Sequence, residues 1–313
     1  MSQGRSQNIG ASVRQRLLNL AKAQKEDFQG ILTRYALERL LYRLSSSEHA
    51  SRFVLKGAML FSVWGGDLHR ATRDLDMLSM GDNSVEGMAA TVTEICLLQV
   101  PDDGIEFLPG SINSARLKEG QEYQGVRLNL SARLAGAIIP VQIDVGFGDA
   151  ITPPPERKEF PSLLDLPTPR LLIYPPETVV AEKVQAMVAL DRANSRLKDF
   201  YDLWILSRKV PFDGRILGQA LEATFNRRRT PIPDGDSFIL NQEVFVLDPA
   251  KQLQWEAFLR KSNLVGGDRL FKDTVEELNR FLTPVLEALR EETHFDLHWL
   301  PGGSWSLKPN NTP

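Results

Sequence analysis

Two aspartates separated by a single residue are the first candidates for chemistry. Residues 73–79 alternate polar and apolar side chains, a pattern typical of a β-strand, which places Asp74 and Asp76 on one face. Two adjacent carboxylates repel each other unless a cation lies between them. Hard oxygen ligands favour Mg²⁺ or Mn²⁺. The pair therefore predicts a divalent-metal site, with two exposed carboxylates on a solvated strand as the alternative.

A third carboxylate occurs in a similar pattern later in the chain. In residues 138–146, apolar side chains at odd positions alternate with Gln142 and Asp144, so we expect a strand with Asp144 on its polar face. Three carboxylates on neighbouring strands can hold two Mg²⁺ ions, one activating a hydroxyl and one neutralising a triphosphate and its pyrophosphate leaving group. The three aspartates together predict a phosphoryl-transfer site.

A lysine and two further aspartates fall on predicted helices. Lys183 is surrounded by apolar residues of the segment 176–191. Asp199 and Asp202 are three residues apart in the segment 195–209, so they share a helix face. The lysine is either part of a salt bridge between two helices or a cation that binds phosphate, and the residues alone leave both interpretations open.

The first half of the chain supplies the elements that must position the three aspartates. Apolar residues at three- and four-residue steps predict helices, and strict alternation predicts strands. Helices are predicted at 12–27, 28–47 and 84–99, with a shorter helical stretch that ends at Trp64 before two glycines. Strands are predicted at 53–55, 73–79, 105–108, 125–134 and 138–146. This half is therefore mixed α/β.

Eight prolines crowd residues 152–176. Proline lacks a backbone N–H and interrupts both helices and sheet ladders, so the segment predicts a connector or a domain boundary. Helices are predicted beyond it at 176–191, 195–209, 214–226, 252–262 and 269–291. We therefore expect a mixed domain at 1–160 and a mainly helical domain at 161–313, the latter completing the site with Lys183 and Asp199 and ending in a flexible tail.

Composition restricts the class of protein. The 313 residues are 42% hydrophobic and 25% charged, which suits a packed globular protein, and the single cysteine excludes an internal disulfide. Without an apolar run of about 18 residues or a signal-like start, we expect a cytoplasmic protein with no membrane partner. The net charge of −3 excludes a generally basic surface, so nucleic acid would need a local patch. Candidates are Arg192, Arg196, Lys198, Arg208 and Lys209, and the run Arg227, Arg228 and Arg229, with solvated charges near helix ends as the alternative.

Four stretches taken together resemble a known family. FVLKGAML at 53–60 and HRATRDLD at 69–76 resemble the first motif of the nucleotidyltransferase-like toxins of AbiE abortive-infection systems. The same broad family includes the mycobacterial tRNA-modifying nucleotidyltransferase toxins. EKVQA at 182–186 and RLKDFYDL at 196–203 resemble its lysine motif and its Arg-x-Lys-Asp-x-x-Asp motif. Matches in this order, over roughly residues 50–210, are far more specific than any single one.

This resemblance implies a fold and a set of site residues. The fold is α/β (α+β), a DNA-polymerase-β-like nucleotidyltransferase fold with a mixed sheet, followed by a mainly α-helical C-terminal part. The implied roles are Thr72, Asp74 and Asp76 at the metal and triphosphate, Lys183 on phosphate, and Asp199 or Asp202 in support of catalysis. Gly57 permits close backbone approach to a phosphate. Ala58 follows it where the wider superfamily usually has Ser or Gly, so a serine hydroxyl contact is missing.

The resemblance also predicts an activity. The expected enzyme uses Mg²⁺ or Mn²⁺ to move a nucleotide from a nucleoside triphosphate to an RNA end, with a tRNA acceptor end as the first candidate and the basic residues around the lysine motif as the RNA contacts. It implies the toxin half of a pair with a cognate antitoxin, which we expect to carry a winged-helix domain. The alternatives are nucleotidylation of a small-molecule or protein hydroxyl, and a non-catalytic module that binds nucleotide or a partner.

Overall fold

The computed structural model describes residues 3–65, 72–119, 123–262, 264 and 269–307, and for 3–8, 118, 119, 123 and 124 it describes the backbone alone. Contacts within the chain define two compact units. Unit 1 consists of Met1–Gly148 and Glu156–Ile173, and unit 2 consists of Asp149–Pro155 and Tyr174–Pro313. Compared with the domains expected at 1–160 and 161–313, residues 149–155 belong to unit 2 and residues 161–173 belong to unit 1. The expected domains stay a prediction.

Unit 1 combines helices with one large sheet. Its helices are α1 (Gln3–Gln24), α2 (Phe28–Ser46), α3 (Phe61–Gly65) and α4 (Val85–Leu97). Its strands are β1 (Phe53–Lys56), β2 (Asp74–Ser79), β3 (Ile105–Glu119), β4 (Tyr123–Leu134), β5 (Ala137–Phe147), β6 (Glu156–Glu159) and β7 (Arg170–Ile173). Side-chain caps fix two helix starts, since Asp27 accepts a hydrogen bond from the Gly30 amide and Ser84 accepts one from the Gly87 amide.

The sheet has seven strands among the described residues, in the order β3-β4-β5-β2-β1-β7-β6. Strand β2 is parallel to β5 and antiparallel to β1, and β1 is parallel to β7. The sheet is therefore mixed. Strands β4 and β5 form a hairpin whose two-residue turn, Ala135 and Gly136, has positive φ at both positions, as a type I′ turn requires.

One face of this sheet forms the core of unit 1. Strands β2 and β5 bury alternate apolar residues, among them Leu75, Met77, Ile143 and Val145. Helix α2 packs against β5 and β7, and helix α4 packs against β3 and β4. Because side chains alternate along a strand, the polar residues between these apolar ones lie on the opposite face. Core packing thus decides which face carries the carboxylates.

The predicted elements of this unit are present, with one correction. The strands expected from alternation correspond to β1 through β5, although β3 extends well past the predicted end at residue 108, and helix α1 begins earlier than residue 12. The proline-rich segment was predicted to be a connector or a domain boundary. The two units do divide at 155/156 and 173/174, but the segment also contains β6 and β7, so the connector prediction is wrong for part of it. Its prolines flank these two short strands without interrupting either, and β6 is an edge strand.

Unit 2 is mainly helical, as predicted. It contains α5 (Pro176–Leu190), α6 (Leu197–Lys209), α7 (Gly214–Arg227), α8 (Glu243–Val246), α9 (Pro249–Ser262) and α10 (Phe271–Arg290), and a small sheet of β8 (Phe212–Asp213), β9 (His298–Trp299) and β10 (Trp305–Ser306). Buried rings of α6, α9 and α10, namely Tyr201, Trp255 and Phe271, contact one another in its core. The predicted fold class, a mixed α/β part followed by a mainly helical part, is confirmed. No helix in the described ranges is long and apolar enough to cross a membrane.

Candidate functional site

The strand register of unit 1 brings the three predicted aspartates together. Strands β2 and β5 are neighbours and parallel, and their pairing sets Asp76 opposite Asp144 and Asp74 opposite Gln142. One carboxylate oxygen of each of Asp74, Asp76 and Asp144 lies within 4.8 Å of the other two. We call these residues the acidic trio. All three are half-buried, so water screens their mutual repulsion less than it would on an open surface.

Hydrogen bonds restrain the carboxylates of Asp74 and Asp144. The buried Thr72 hydroxyl donates to Oδ1 of Asp74 over 2.6 Å. The Gln142 amide donates to Oδ2 of Asp144 over 3.3 Å. Thr72 was expected at the triphosphate, and in the structure its hydroxyl orients a carboxylate of the trio.

A close approach of the backbone at Gly57 restrains the Asp76 carboxylate. Gly57 has φ of 75°, and a Cβ placed on it would lie 2.0 Å from Oδ2 of Asp76. Any larger residue would overlap the Asp76 side chain, besides being strained at this φ. The sequence suggested that Gly57 admits a phosphate; the observed close neighbour is the Asp76 carboxylate.

Arg127 was missed at the sequence level and lies beside the trio. It is opposite Asp144 in the β4–β5 hairpin, and its Nε and Nη2 donate to the two carboxylate oxygens of Asp144, each over 2.7 Å. The hydrogen bond to Asp144 raises the pKa of Arg127, and the charges of Asp144, Asp74 and Asp76 add to this increase. The signal was available, because a two-residue turn at 135–136 sets residue 127 opposite residue 144.

A second cation shares the polar face from the other side. Strand β1 is antiparallel to β2, and its register sets Lys56 opposite Asp76. Residues directly opposite each other in a sheet project from the same face. Lys56 stands in the sequence motif FVLKGAML, yet the strand pairing is what identifies its position relative to the trio.

The chemistry of the donor set fits a divalent cation. Three carboxylates offer hard, charged oxygens, which Mg²⁺ and Mn²⁺ prefer, and they offer no nitrogen or sulfur that would favour zinc or copper. A trio of like charges is stabilised by a cation and destabilised without one. Glu48, His49 and Glu94 form a second group close enough to share an ion among the described residues. That group offers two carboxylates and one imidazole nitrogen, a donor set that suits Mg²⁺ less well than three carboxylates.

The lysine and its two aspartates form a separate cluster in unit 2. The Lys183 ammonium on α5 donates to Asp199 over 2.6 Å and to Asp202 over 2.8 Å, both on α6. The side chains are 15%, 8% and 0% exposed, respectively. The interhelical salt bridge, one of the two interpretations left open, is therefore present. This salt bridge is buried. A phosphate-binding role for Lys183 stays a prediction.

A network of charged and polar side chains surrounds Glu182, which precedes Lys183 in the lysine motif. Arg228 lies 3.2 Å from Asp149 and 3.7 Å from Glu182, and it donates a hydrogen bond to Gln185 over 2.7 Å. Burial raises the pKa of Tyr174, and the charges of Glu182 and Asp149 raise it further. Arg228 was a candidate for nucleic-acid binding as part of a basic run, but its contacts serve to hold α5 and α7 together.

The five basic residues proposed to contact RNA are all exposed, and they form two groups. Arg192, Arg196 and Lys198 lie before or at the start of α6, and Arg208 and Lys209 lie at its end. The two ends are about 15 Å apart at 1.5 Å per residue. Arg208 is also engaged, since it pairs with Glu277 over 3.3 Å and lies over the Trp204 ring.

Three motif residues cannot be placed. His69, Arg70 and Ala71 belong to the predicted first motif and lie outside the described residues. The described part of that motif begins again at Thr72, which already contacts Asp74.

Comparisons with known proteins match this chain to one family. A family model described as a nucleotidyl transferase AbiEii toxin of a type IV TA system matches residues 39–278, more than half of the chain. No curated protein matches. The chain resembles two crystal structures of Helicobacter pylori proteins at 15% identity and a TM-score of 0.47. The likeness to one assigned as a nucleotidyltransferase covers 86% of this chain and 100% of that chain, and the likeness to JHP933 covers 85% and 95%.

Proposed function

The chain belongs to the AbiEii family of nucleotidyltransferase toxins, and from that premise we propose that it transfers a nucleotide from a nucleoside triphosphate to the end of an RNA. Membership confirms the predicted enzyme class, the nucleoside triphosphate substrate and a place in a type IV toxin–antitoxin system with an antitoxin. The RNA acceptor, with tRNA as its first candidate, is our proposal, as are Mg²⁺ as the cation and a winged-helix domain in the antitoxin.

The acidic trio is the observation that supports this chemistry best. In nucleotidyl transfer a hydroxyl oxygen of the acceptor gives up its proton to a carboxylate or to water and bonds to the α-phosphorus, the bond from that phosphorus to the bridging oxygen breaks, and pyrophosphate leaves. A divalent cation at the trio would supply charge neutralisation and an activated hydroxyl. Asp74, Asp76 and Asp144 would hold it, because their oxygens already converge within 4.8 Å.

The other residues of unit 1 prepare this site. Thr72 and Gly57 restrict where the carboxylates of Asp74 and Asp76 can lie, which lowers the cost of organising them during reaction. Lys56 and Arg127 place positive charge beside the trio, on the face from which a triphosphate would approach. Positive charge on this face would favour binding of an anionic substrate.

In unit 2 we assign Lys183 to phosphate and Asp199 and Asp202 to its support. The two aspartates hold the ammonium over 2.6 and 2.8 Å, so its position is fixed while its charge remains. A buried lysine with a fixed position can stabilise developing phosphate charge better than a flexible surface lysine. The exposed basic residues at the two ends of α6 are the proposed contacts of the RNA backbone.

Release of pyrophosphate tests the proposal. The full chain is incubated with Mg²⁺ and each nucleoside triphosphate, with total RNA, with RNase-treated RNA, or with a protein extract. We expect release that depends on intact RNA, and the ends of the RNA should then carry added nucleotides. Release with the protein extract alone would favour a protein hydroxyl as acceptor. Nucleotide binding without release in any mixture would favour the non-catalytic module.

A further inference from the structure

Arg127 pairs with Asp144 of the acidic trio and is also partly exposed to solvent. We propose that Arg127 is a nucleotide-binding residue that is held by Asp144 until a divalent cation competes for that carboxylate, and that the released guanidinium then binds the phosphates of the nucleotide. This inference rests on the proposed function, because it requires a cation at the trio and a nucleoside triphosphate as substrate.

The contact between Arg127 and Asp144 engages the whole carboxylate. Nε donates to Oδ1 and Nη2 donates to Oδ2, each over 2.7 Å, and Gln142 donates to Oδ2 as well. A two-point pair of this kind is short and directional, because the planar guanidinium matches the carboxylate. Both oxygens of Asp144 that could ligate a cation are therefore already bonded to the protein.

A cation held by the trio would weaken this pair for two reasons. It would share at least one oxygen of Asp144 with Arg127, and it would add a second positive charge near the guanidinium. Arg127 also interacts with the charges of Asp74 and Asp76, so it is a counter-ion of the whole trio. Arg127 and the cation therefore compete for the same negative charge.

The released side chain has a suitable ligand in the nucleotide. Arg127 is 40% exposed, so its guanidinium can turn about the side-chain torsions without a movement of β4. Phosphate oxygens accept the same pair of parallel hydrogen bonds as a carboxylate. A nucleoside triphosphate at the trio would supply negative charge in place of that of Asp144. The nucleoside triphosphate, and not the RNA, is thus the ligand that the contact predicts.

The same strand contains a matched control. Arg133 lies six residues along β4 from Arg127, about 20 Å away at the rise of a strand. It also forms a cross-strand pair, with Glu106 of β3 over 3.1 Å, and it is 51% exposed. Its partner on β5 is Ile138, so it faces no acidic trio. Loss of Arg133 therefore removes a similar pair and charge at a distance from the site.

The test uses Arg127→Gln, Arg127→Lys and Arg133→Gln in the full chain. Two affinities are measured by calorimetry: that for Mn²⁺ without nucleotide, and that for α,β-methylene analogues of the four nucleoside triphosphates with Mg²⁺ present. We expect Arg127→Gln to bind Mn²⁺ about fivefold more tightly, since an exposed pair no longer competes. It should bind the best analogue about tenfold more weakly. Arg127→Lys should shift both affinities in the same directions by smaller factors, and Arg133→Gln should shift neither.

The opposite signs of the two changes are diagnostic. A structural role alone would lower both affinities together or leave both unchanged, and either result overturns the inference. Thermal melts accompany each variant, and if Arg127→Gln melts early, Arg127→Lys decides. Asp76→Asn separates the two claims: if the parent binds Mn²⁺ no better than Asp76→Asn, the proposed metal site fails. If that site holds and Arg127→Gln shows no opposed shifts, the inference alone fails.

Discussion

The acidic trio of unit 1 and the lysine cluster of unit 2 use similar residues to different ends. Each contains aspartates beside a cation: three with Arg127 in the trio, and two with Lys183 in the cluster. The trio has two negative charges more than its arginine neutralises, and it is half-buried. The cluster has one such charge, and its two aspartates are 8% and 0% exposed.

The difference in charge and burial distinguishes a site that can bind a cation from a site whose positive charge already belongs to the protein. Residues of a strand face set the trio's spacing, so a cation can enter between the carboxylates. In the cluster, the ammonium already occupies the space between the carboxylates of two helices, and burial makes its removal costly. The comparison assigns cation binding to the trio and positioning of a fixed positive charge to the cluster.

The largest effect should follow from removing one carboxylate of the trio. Asp74→Asn and Asp76→Asn should each reduce pyrophosphate release about a thousandfold or more, because a ligand of the cation is lost. The melting temperature should hold or rise slightly, since repulsion within the trio decreases. Glu106→Gln, on the exposed face of β3, is the control. Full turnover in either aspartate variant would end the assignment.

A large effect on stability, with the opposite sign, is expected in the lysine cluster. Lys183→Met leaves Asp199 and Asp202 buried without their cation and should lower the free energy of unfolding by about 3 to 5 kcal/mol. Lys272→Met on α10 removes a lysine from an exposed pair with Glu276 and should cost about 0 to 1 kcal/mol. Urea denaturation of both variants measures the difference. Equal free energies of unfolding for the two variants would mean that burial does not make the loss of Lys183 costly.

An intermediate effect should link the backbone to the trio. Gly57→Ala places a methyl group where the Asp76 carboxylate lies. We therefore expect the free energy of unfolding to fall by about 1 to 3 kcal/mol and turnover to decrease at least tenfold. Gly110→Ala in β3 meets nothing within 4 Å and serves as the control. Unfolding curves and pyrophosphate release measure the two effects. Parental turnover in Gly57→Ala would show that Asp76 tolerates displacement.

The smallest effect concerns the RNA contacts. Arg192→Glu and Arg208→Gln, made separately, test the two ends of α6; glutamine is chosen for Arg208 because a glutamate there would face Glu277. We expect a few-fold rise in the KM for RNA at one end or both, with the KM for the triphosphate unchanged. Log affinity for RNA should fall with log salt at about 0.7 per neutralised phosphate. Equal changes for both substrates, or none for RNA, would place the acceptor elsewhere.

The central site was accessible from the sequence because it depends on local alternation. The patterns around Asp74, Asp76 and Asp144 predicted three side chains on polar strand faces, and the sheet pairs these strands directly. Most helices of unit 2 were accessible for a similar reason, since apolar residues at three- and four-residue steps predicted them. Neither pattern depends on residues far away in the chain.

The features missed at the sequence level depend on how segments of the chain pair and pack. Strands β6 and β7 were hidden by prolines that flank them, and β7 is recognisable as a strand because it pairs with β1, which lies 118 residues earlier in the chain. Arg127 has no motif of its own, and its role follows from the hairpin register. The burial of Lys183 depends on the packing of α5 against α6, which helix periodicity alone does not provide.

A direct view of the cation tests the account best. Crystals of the full chain are grown with Mn²⁺ and an α,β-methylene nucleoside triphosphate, and anomalous scattering locates the metal. We expect Mn²⁺ bound to carboxylate oxygens of Asp74, Asp76 and Asp144, with the triphosphate on the same ion. A catalytically active preparation whose Mn²⁺ lies elsewhere, with no metal ion at the trio, would be the opposite result.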